Sequence, residues 1–350
     1  MGIYRLLLSV LVVFFHTTTL LGTVGYSAVF GFYIISGYCI SMVLDQKYQG
    51  GVWKFWLNRG LKLIPSYLAV LGCSIVVMNV FTDEAMFVAS LSTYSLRDIL
   101  NEILLGYLTP RSAALLLNGF PTIIAQAWTH SVQIFFYITA PFVCSIYKRK
   151  EKIYWLLGAI TLVFPIATAL LNLDFPTYRY RSVFGSYWIF FIGSTLYFKR
   201  DSIPKIKNSS KYFIVLAITY VLMFSVGMDK AVLSETKIYI SVLIEVLMLI
   251  MASQMTYNNV KMDKGCSVLS MGIYLTHMLA RALAVVIINN NKYLSMVFDG
   301  TQAWMIVIPV LVISVILAIV LYVCVDRPVE KIRKKVITGV VDRRREKDEF

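Results

Sequence analysis

Charged side chains and histidine are both scarce in this chain. Only 15% of its 350 residues are Asp, Glu, Lys or Arg and only three are His, whereas 58% are apolar. A soluble domain carries about a quarter charged residues, so a water-facing surface of this composition would expose large contiguous apolar patches. That excludes a soluble enzyme or binding module. The hydrophobicity runs in continuous stretches rather than alternating, which excludes a β-barrel. Cysteine offers no framework either: Cys39, Cys73, Cys144, Cys266 and Cys324 lie singly inside apolar runs without any CxxC spacing, so they read as small core residues and no metal is expected. No internal repeat or low-complexity segment is visible, which weighs against an inverted-repeat transporter. The first apolar stretch carries a histidine and runs on toward a second without an A-x-A-like site, so no cleavable signal peptide is expected.

What is present is an all-α pattern, a polytopic membrane helical bundle. Apolar runs between charged or Gly/Pro/Asn punctuation predict about ten transmembrane helices, near 3–22, 27–44, 61–81, 132–147, 153–171, 183–198, 212–227, 238–256, 266–288 and 302–325. The balance of 33 Lys and Arg against 19 Asp and Glu gives a net charge of +14, which in a soluble chain would suggest nucleic acid. Here the cations cluster in alternate connectors, at Lys148, Arg149, Lys150 and Lys152, and at Lys199, Arg200, Lys205, Lys207 and Lys211. That placement makes both termini cytoplasmic, explains the basicity by the positive-inside rule, and leaves the bilayer rather than nucleic acid as the partner. Residues 1–328 read as a single membrane domain, with an outer-face loop and amphipathic helix over 82–131 acting as a lid, and 329–350 as a basic cytoplasmic tail.

Polar residues inside spans are costly and so are functional candidates. In YRLLLSVLVVFFH, Arg5 and His16 are eleven residues apart, about 16 Å of helical rise and within roughly 20° on one helix face. A basic anchor at the cytoplasmic mouth with an imidazole near the membrane middle would suit an acyl-CoA entering from the cytosol. Spacing alone leaves open a plainer reading, in which Arg5 only orients the helix and His16 hydrogen-bonds within the bundle.

The run RLLLSVLVVFFH, followed by AVFGFYIISGYCI, FWLNRGLKLIPSY and AWTHSVQIFFYITAPF, resembles the membrane acyltransferase-3 family over about residues 4–147. YRSVFGSYWIFFIGSTLYF, SMGIYLTHML and DRPVEKIRKK extend the likeness more weakly. The resemblance implies an acyl-CoA-dependent O-acyltransferase of the inner (plasma) membrane. It would move an acyl group, acetyl above all, from cytosolic acyl-CoA to a hydroxyl of an envelope or exported polysaccharide, or of a lipid-linked sugar. It implies catalytic roles for Arg5 and His16. It also implies a cytoplasmic rim of Arg5, Arg59, Lys62 and Tyr67, beside Pro65, for the CoA phosphates. The chain departs from the family at Gln133, where a glutamate is usual; an amide orients a ligand but moves no proton, so Gln133 either positions the acceptor or marks a degenerate enzyme.

Trp128, Tyr137, Arg181 and His277 are the candidates for contacting the acceptor, since aromatics stack on sugar faces and Arg binds hydroxyls or acidic groups. Glu245 is expected to pair with Arg281 and thereby orient His277, and His130, near the outer boundary beside Trp128, to lie at the interface or on the acceptor side rather than in the acyl-transfer step. His16 would act as general base on the acceptor hydroxyl or carry the acyl group itself. Because helical N–H groups are already paired, the oxyanion would need side-chain donors such as Ser36, Tyr38, Gln133 or Tyr137. The rival class is a transporter or flippase of a lipid-linked or anionic solute, using the same buried cations as a pathway.

Overall fold

The computed structural model describes residues 1–18, 20–48, 51–81, 96–103, 123–225, 231–255, 260–291, 293–294 and 303–336. Among them are helices and no strands. The helices are α1 (Gly2–Thr17), α2 (Val24–Lys47), α3 (Val52–Val80), α4 (Leu96–Ile103), α5 (Trp128–Arg149), α6 (Glu151–Leu170), α7 (Val183–Phe198), α8 (Ser209–Ser225), α9 (Ala231–Gln254), α10 (Val260–Asn289) and α11 (Val307–Leu321). In hydrocarbon a backbone must pair its own polar groups, which is why such apolar runs become helices. Pro141 inside α5 breaks that pairing by withholding the N–H owed to the Tyr137 carbonyl. The indole Nε1 of Trp56 donates to that carbonyl at 2.9 Å instead and so ties α3 to α5.

Among the described residues seven helices, α2, α3, α5, α6, α9, α10 and α11 with its continuation to Val336, are long and apolar enough to cross a membrane. The apolar helices α1, α7 and α8 are shorter, at 16, 16 and 17 residues. All ten expected spans therefore fall on helices, three of them below the usual spanning length of about 20 residues. The outward faces stay apolar, as at Leu156 (60% exposed) and Val163 (62%) on α6, the pattern a lipid-facing surface requires. The first span differs from expectation: α1 stops at Thr17, so His16 lies in its last turn rather than at mid-span. Most of the expected lid over 82–131 lies outside the described residues, as does the tail beyond residue 336.

The core is organised around α2, which packs on α7, α1, α9 and α5. Backbones approach closely where side chains are absent or small, the usual means of joining helices in lipid. A Cβ at Gly37 would strike the Phe190 carbonyl, and one at Gly193 would strike the Ile34 carbonyl; Ser41 Oγ donates to Ser194 Oγ at 2.8 Å across the same seam. The α1–α10 seam is closed in the same way by the Ser9 and Ser270 hydroxyls, 2.7 Å apart.

Polar contacts between connectors gather at one end of the bundle, which we call the basic end. There the N-terminal amine meets Asp263 at 3.1 Å, Lys199 meets Glu151 at 2.7 Å, Lys148 meets Asp45 at 2.5 Å, and Arg333 donates to Asn58 at 2.6 Å. The N-terminus and the helical stretch that follows α11 thus share an end.

Candidate active site

Five helices, α1, α2, α3, α5 and α10, enclose a cavity that opens toward the basic end. Helix direction orders its lining. Arg5, Arg59, Lys62, Tyr137 and Ser267 lie toward the mouth, and Tyr33, Thr129, His130 and Tyr274 lie at the inner end. Seven residues separate Ser267 from Tyr274 on α10 and His130 from Tyr137 on α5, so the cavity runs about 10 Å into the bundle. Gln133 stands between the two levels, where its Nε2 donates to Ser36 Oγ at 3.0 Å.

The mouth is cationic and held in place. Arg5 Nη1 donates to Ser267 Oγ at 3.2 Å. The Arg59 guanidinium lies over the Phe55 ring at 5.3 Å and the Tyr137 ring at 5.6 Å, and its buried Nε has no partner. Among the described lining residues there is no Asp or Glu. Three cations in a concave, low-dielectric wall without an acid focus a positive field, and a phosphorylated ligand is the natural complement.

The floor is built by Tyr274, whose hydroxyl is 2.8 Å from Thr129 Oγ1. One turn further along α10, His277 has its Nδ1 2.7 Å from the Tyr274 carbonyl. A carbonyl only accepts, so that nitrogen carries the hydrogen, and Nε2, buried and without a partner, carries the lone pair. The His277 ring lies 5.1 Å from that of His16, which is itself 5.0 Å from Phe15. Among the described residues, Arg281 and Arg181 act electrostatically on His16. Around this pair stands an aromatic wall in which Tyr180 touches Tyr26 at 4.6 Å and Trp128 at 4.7 Å. The segment Phe175–Tyr180 that presents Tyr180 is fixed by an ion pair, from buried Arg179 to the partly exposed Glu235 at 3.0 Å.

The structure therefore divides the residues singled out in the sequence between two places. Arg5, Arg59, Lys62, Gln133 and Tyr137 line the cavity, whereas His16, His277, Trp128 and Arg181 gather beyond its floor, where Tyr180 joins them. Tyr67 is in neither: it is packed in the core with its ring 6.2 Å from His130, not on the rim. Tyr38 faces away from the cavity, with its ring 5.5 Å from Tyr197 on α7. The expected Glu245–Arg281 pair is not formed. Glu245 accepts from Ser27 Oγ at 3.0 Å and from Tyr220 OH at 2.8 Å, while Arg281 is on an exposed face. α9 packs on α2 and α8, which supply those hydroxyls, and reading depth alone had overlooked which neighbours α9 has.

His130 also stands elsewhere than expected, inside the cavity rather than at the outer boundary. Its spacing of three from Gln133 on one helix places both on one face, a signal already present in the sequence. Tyr33 and Tyr274 carried no such signal, because aromatic residues at helical spacing are common in any apolar core.

No curated protein and no solved structure matches the chain. A family model described as an acyltransferase domain matches residues 3–323, which takes in every helix of the cavity and both histidines beyond it; the chain belongs to the membrane acyltransferase-3 family.

Proposed function

We propose that this chain is an acyl-CoA-dependent O-acyltransferase of the inner (plasma) membrane, most simply an O-acetyltransferase, acting on a hydroxyl of an envelope or exported polysaccharide or a lipid-linked glycan. The observation that carries the reading is the cavity with three cations at its mouth, no acid among its described lining residues, and a histidine pair one turn beyond its floor. In this reading the bundle has ten crossings and the basic end is cytoplasmic, because Lys and Arg concentrate in the connectors there. Acetyl-CoA is a co-substrate rather than a resident cofactor. Arg5, Arg59 and Lys62 hold its phosphates, and the pantetheine arm carries the thioester to the level of Tyr274.

The acceptor approaches from the opposite end, along Trp128, Tyr180 and Arg181. Neutral His16 takes the proton of the acceptor hydroxyl as its oxygen bonds the thioester carbon. The C–S bond then breaks and the departing thiolate takes up a proton, giving ester and CoA thiol. If the acyl group first rests on the imidazole, an N–C bond forms as the C–S bond breaks and the ring proton goes to the thiolate; the acceptor oxygen then bonds the carbon as the N–C bond breaks, and the hydroxyl proton returns to the imidazole. His277, with its lone pair on Nε2, is placed to steady the charge that His16 acquires.

The test supplies radiolabelled acetyl-CoA to the basic side of membranes carrying wild type or His16→Ala, and follows label into glycan and into protein. Label that reaches glycan with wild type and vanishes with His16→Ala supports the reading, and label retained on protein indicates the acyl-imidazole route. A wild type that labels nothing while moving a lipid-linked or anionic solute across the membrane would overturn it.

A further inference from the structure

Acyl transfer from a thioester passes through a tetrahedral oxyanion, and inside a membrane helix bundle the backbone N–H groups are already paired, so the donors for that oxyanion must be side chains. The cavity narrows the choice. Gln133 Nε2 donates to Ser36 Oγ, the Thr129 and Tyr274 hydroxyls pair with each other, the Ser270 hydroxyl pairs with Ser9, and Ser267 Oγ accepts from Arg5, so each of these groups already has a partner. Three buried polar atoms of the lining have no partner: Arg59 Nε at the mouth, and Tyr33 OH and His130 Nδ1 at the inner end. Tyr33 is 2% exposed and His130 4%. A buried polar group left unpaired is unfavourable, so a ligand that pairs both removes a standing penalty.

Both residues line the inner end of the cavity. Tyr33 is on α2 and His130 on α5, two helices that pack together. The His130 ring lies 6.2 Å from Tyr274 at the floor, and Tyr33 is braced edge-on by Phe136 at 5.2 Å. His130 is the one imidazole among the described lining residues.

We propose that Tyr33 OH and His130 Nδ1–H form the oxyanion-binding pair of this cavity, receiving the carbonyl oxygen of the acyl thioester. The proposal rests on the acyl-CoA reading given above. As the nucleophile bonds to carbon, the C=O π pair moves onto oxygen, which accepts a hydrogen bond from each donor. When the C=O re-forms and the C–S bond breaks, the pair leaves the oxygen and both donors keep their protons. His130 in this role is neutral, with its hydrogen on Nδ1. Arg59 Nε belongs to a different tier, at the level of the phosphates. The division puts the cation at the mouth, where charge enters, and neutral donors within, where charge develops only in the transition state.

The test uses purified full-length protein and two unreactive CoA analogues: a ketone in which CH2 replaces the thioester sulfur, and S-ethyl-CoA, a thioether with no carbonyl. Tyr33→Phe and His130→Phe are each expected to weaken the ketone about tenfold, the value of one hydrogen bond, and to leave the thioether unchanged. In turnover each is expected to lower kcat by about 10²- to 10³-fold with little change in KM for acetyl-CoA. His130→Asn, whose Nδ2 takes the place of Nδ1–H, is expected to restore most of both. Equal losses for the two analogues, or no loss for the ketone, would overturn the pair. A wild type that binds neither analogue would overturn the acyl-CoA reading itself, and an unchanged melting temperature separates either result from misfolding.

Discussion

The cavity and the histidine chamber beyond its floor lie within one helical turn of each other, yet they are built in opposite ways. The cavity is lined by five packed helices alone, Arg5 and Arg59 at its mouth are braced by a serine and by ring faces, and its lining holds no acid among the described residues. The chamber takes His277 from within α10, takes His16, Tyr26 and Trp128 from helix ends, and adds the segment Phe175–Tyr180, with aromatic edges and a clamped ion pair in place of a charged mouth. A site lined by helices alone suits a constant partner such as a nucleotide-bearing donor, whereas one that also draws on a connector can change with its acceptor while the donor site stays fixed. If this division is correct, substitutions in the two regions should fail in different ways.

The largest effect belongs to the chamber. His16→Ala should reduce acyl transfer by at least about 10³-fold, as expected for loss of a base or nucleophile. Binding of S-ethyl-CoA should be left intact, because His16 is outside the cavity lining. A loss of donor binding in this variant would merge the two regions into one site.

Arg59→Ala should show the opposite signature. Removing a cation stacked on Phe55 and Tyr137 should raise KM for acetyl-CoA by about 10- to 100-fold, the range for a charge-assisted hydrogen bond, with kcat little changed. Lys62→Ala should act in the same direction, and steady-state kinetics across a salt series would separate both from His16→Ala, since phosphate contacts weaken as ionic strength rises.

Gln133→Glu tests whether the departure from the family pattern is a defect. The new carboxylate would lie in the field of Arg5, Arg59 and Lys62 and compete with the donor's phosphates, worth on the order of 1 kcal/mol or about fivefold in KM. Ser36 can turn its hydroxyl to donate, so the fold should hold. A several-fold gain in kcat would instead mean that the amide leaves the enzyme short of a proton carrier.

How much of this could be read in advance follows from what each residue signals. Spans show themselves as continuous apolar runs, so the ten apolar helices among the described residues were legible, whereas the Arg5, Arg59 and Lys62 cluster came from the resemblance to the acyltransferase-3 family. Depth was less legible. His16 was expected at mid-span because the apolar run continues to residue 22, but α1 ends at Thr17 where the chain must turn for Gly25 to pack on Phe15. Tyr67 and Tyr38 were misplaced for a related reason: rotation about a helix axis is fixed by which neighbours pack where, as at the Gly37–Gly193 contact that turns one face of α2 to α7. Hydropathy does not record that.

The smallest expected effect is at Glu245, where the sequence suggested an ion pair. The carboxyl is fully buried, its Oε1 accepts from Ser27 and Tyr220, its Oε2 has no partner, and no cation reaches it among the described residues. An ionised carboxylate without a counter-ion at that position would cost several kcal/mol, and an amide carries no such liability. Glu245→Gln keeps one oxygen to accept from both hydroxyls, so yield, melting temperature and transfer rate should all stay within about twofold of wild type, since a like-for-like acceptor leaves no donor unpaired. Glu245→Leu should do worse, because it removes the acceptor that Tyr220 and Ser27 share and leaves them only each other and Ser241, at about 1 kcal/mol for a lost hydrogen bond. If Gln proves as damaging as Leu, then the charge itself matters at this seam between α2, α8 and α9, and the chemistry would extend beyond the two regions compared above into a third.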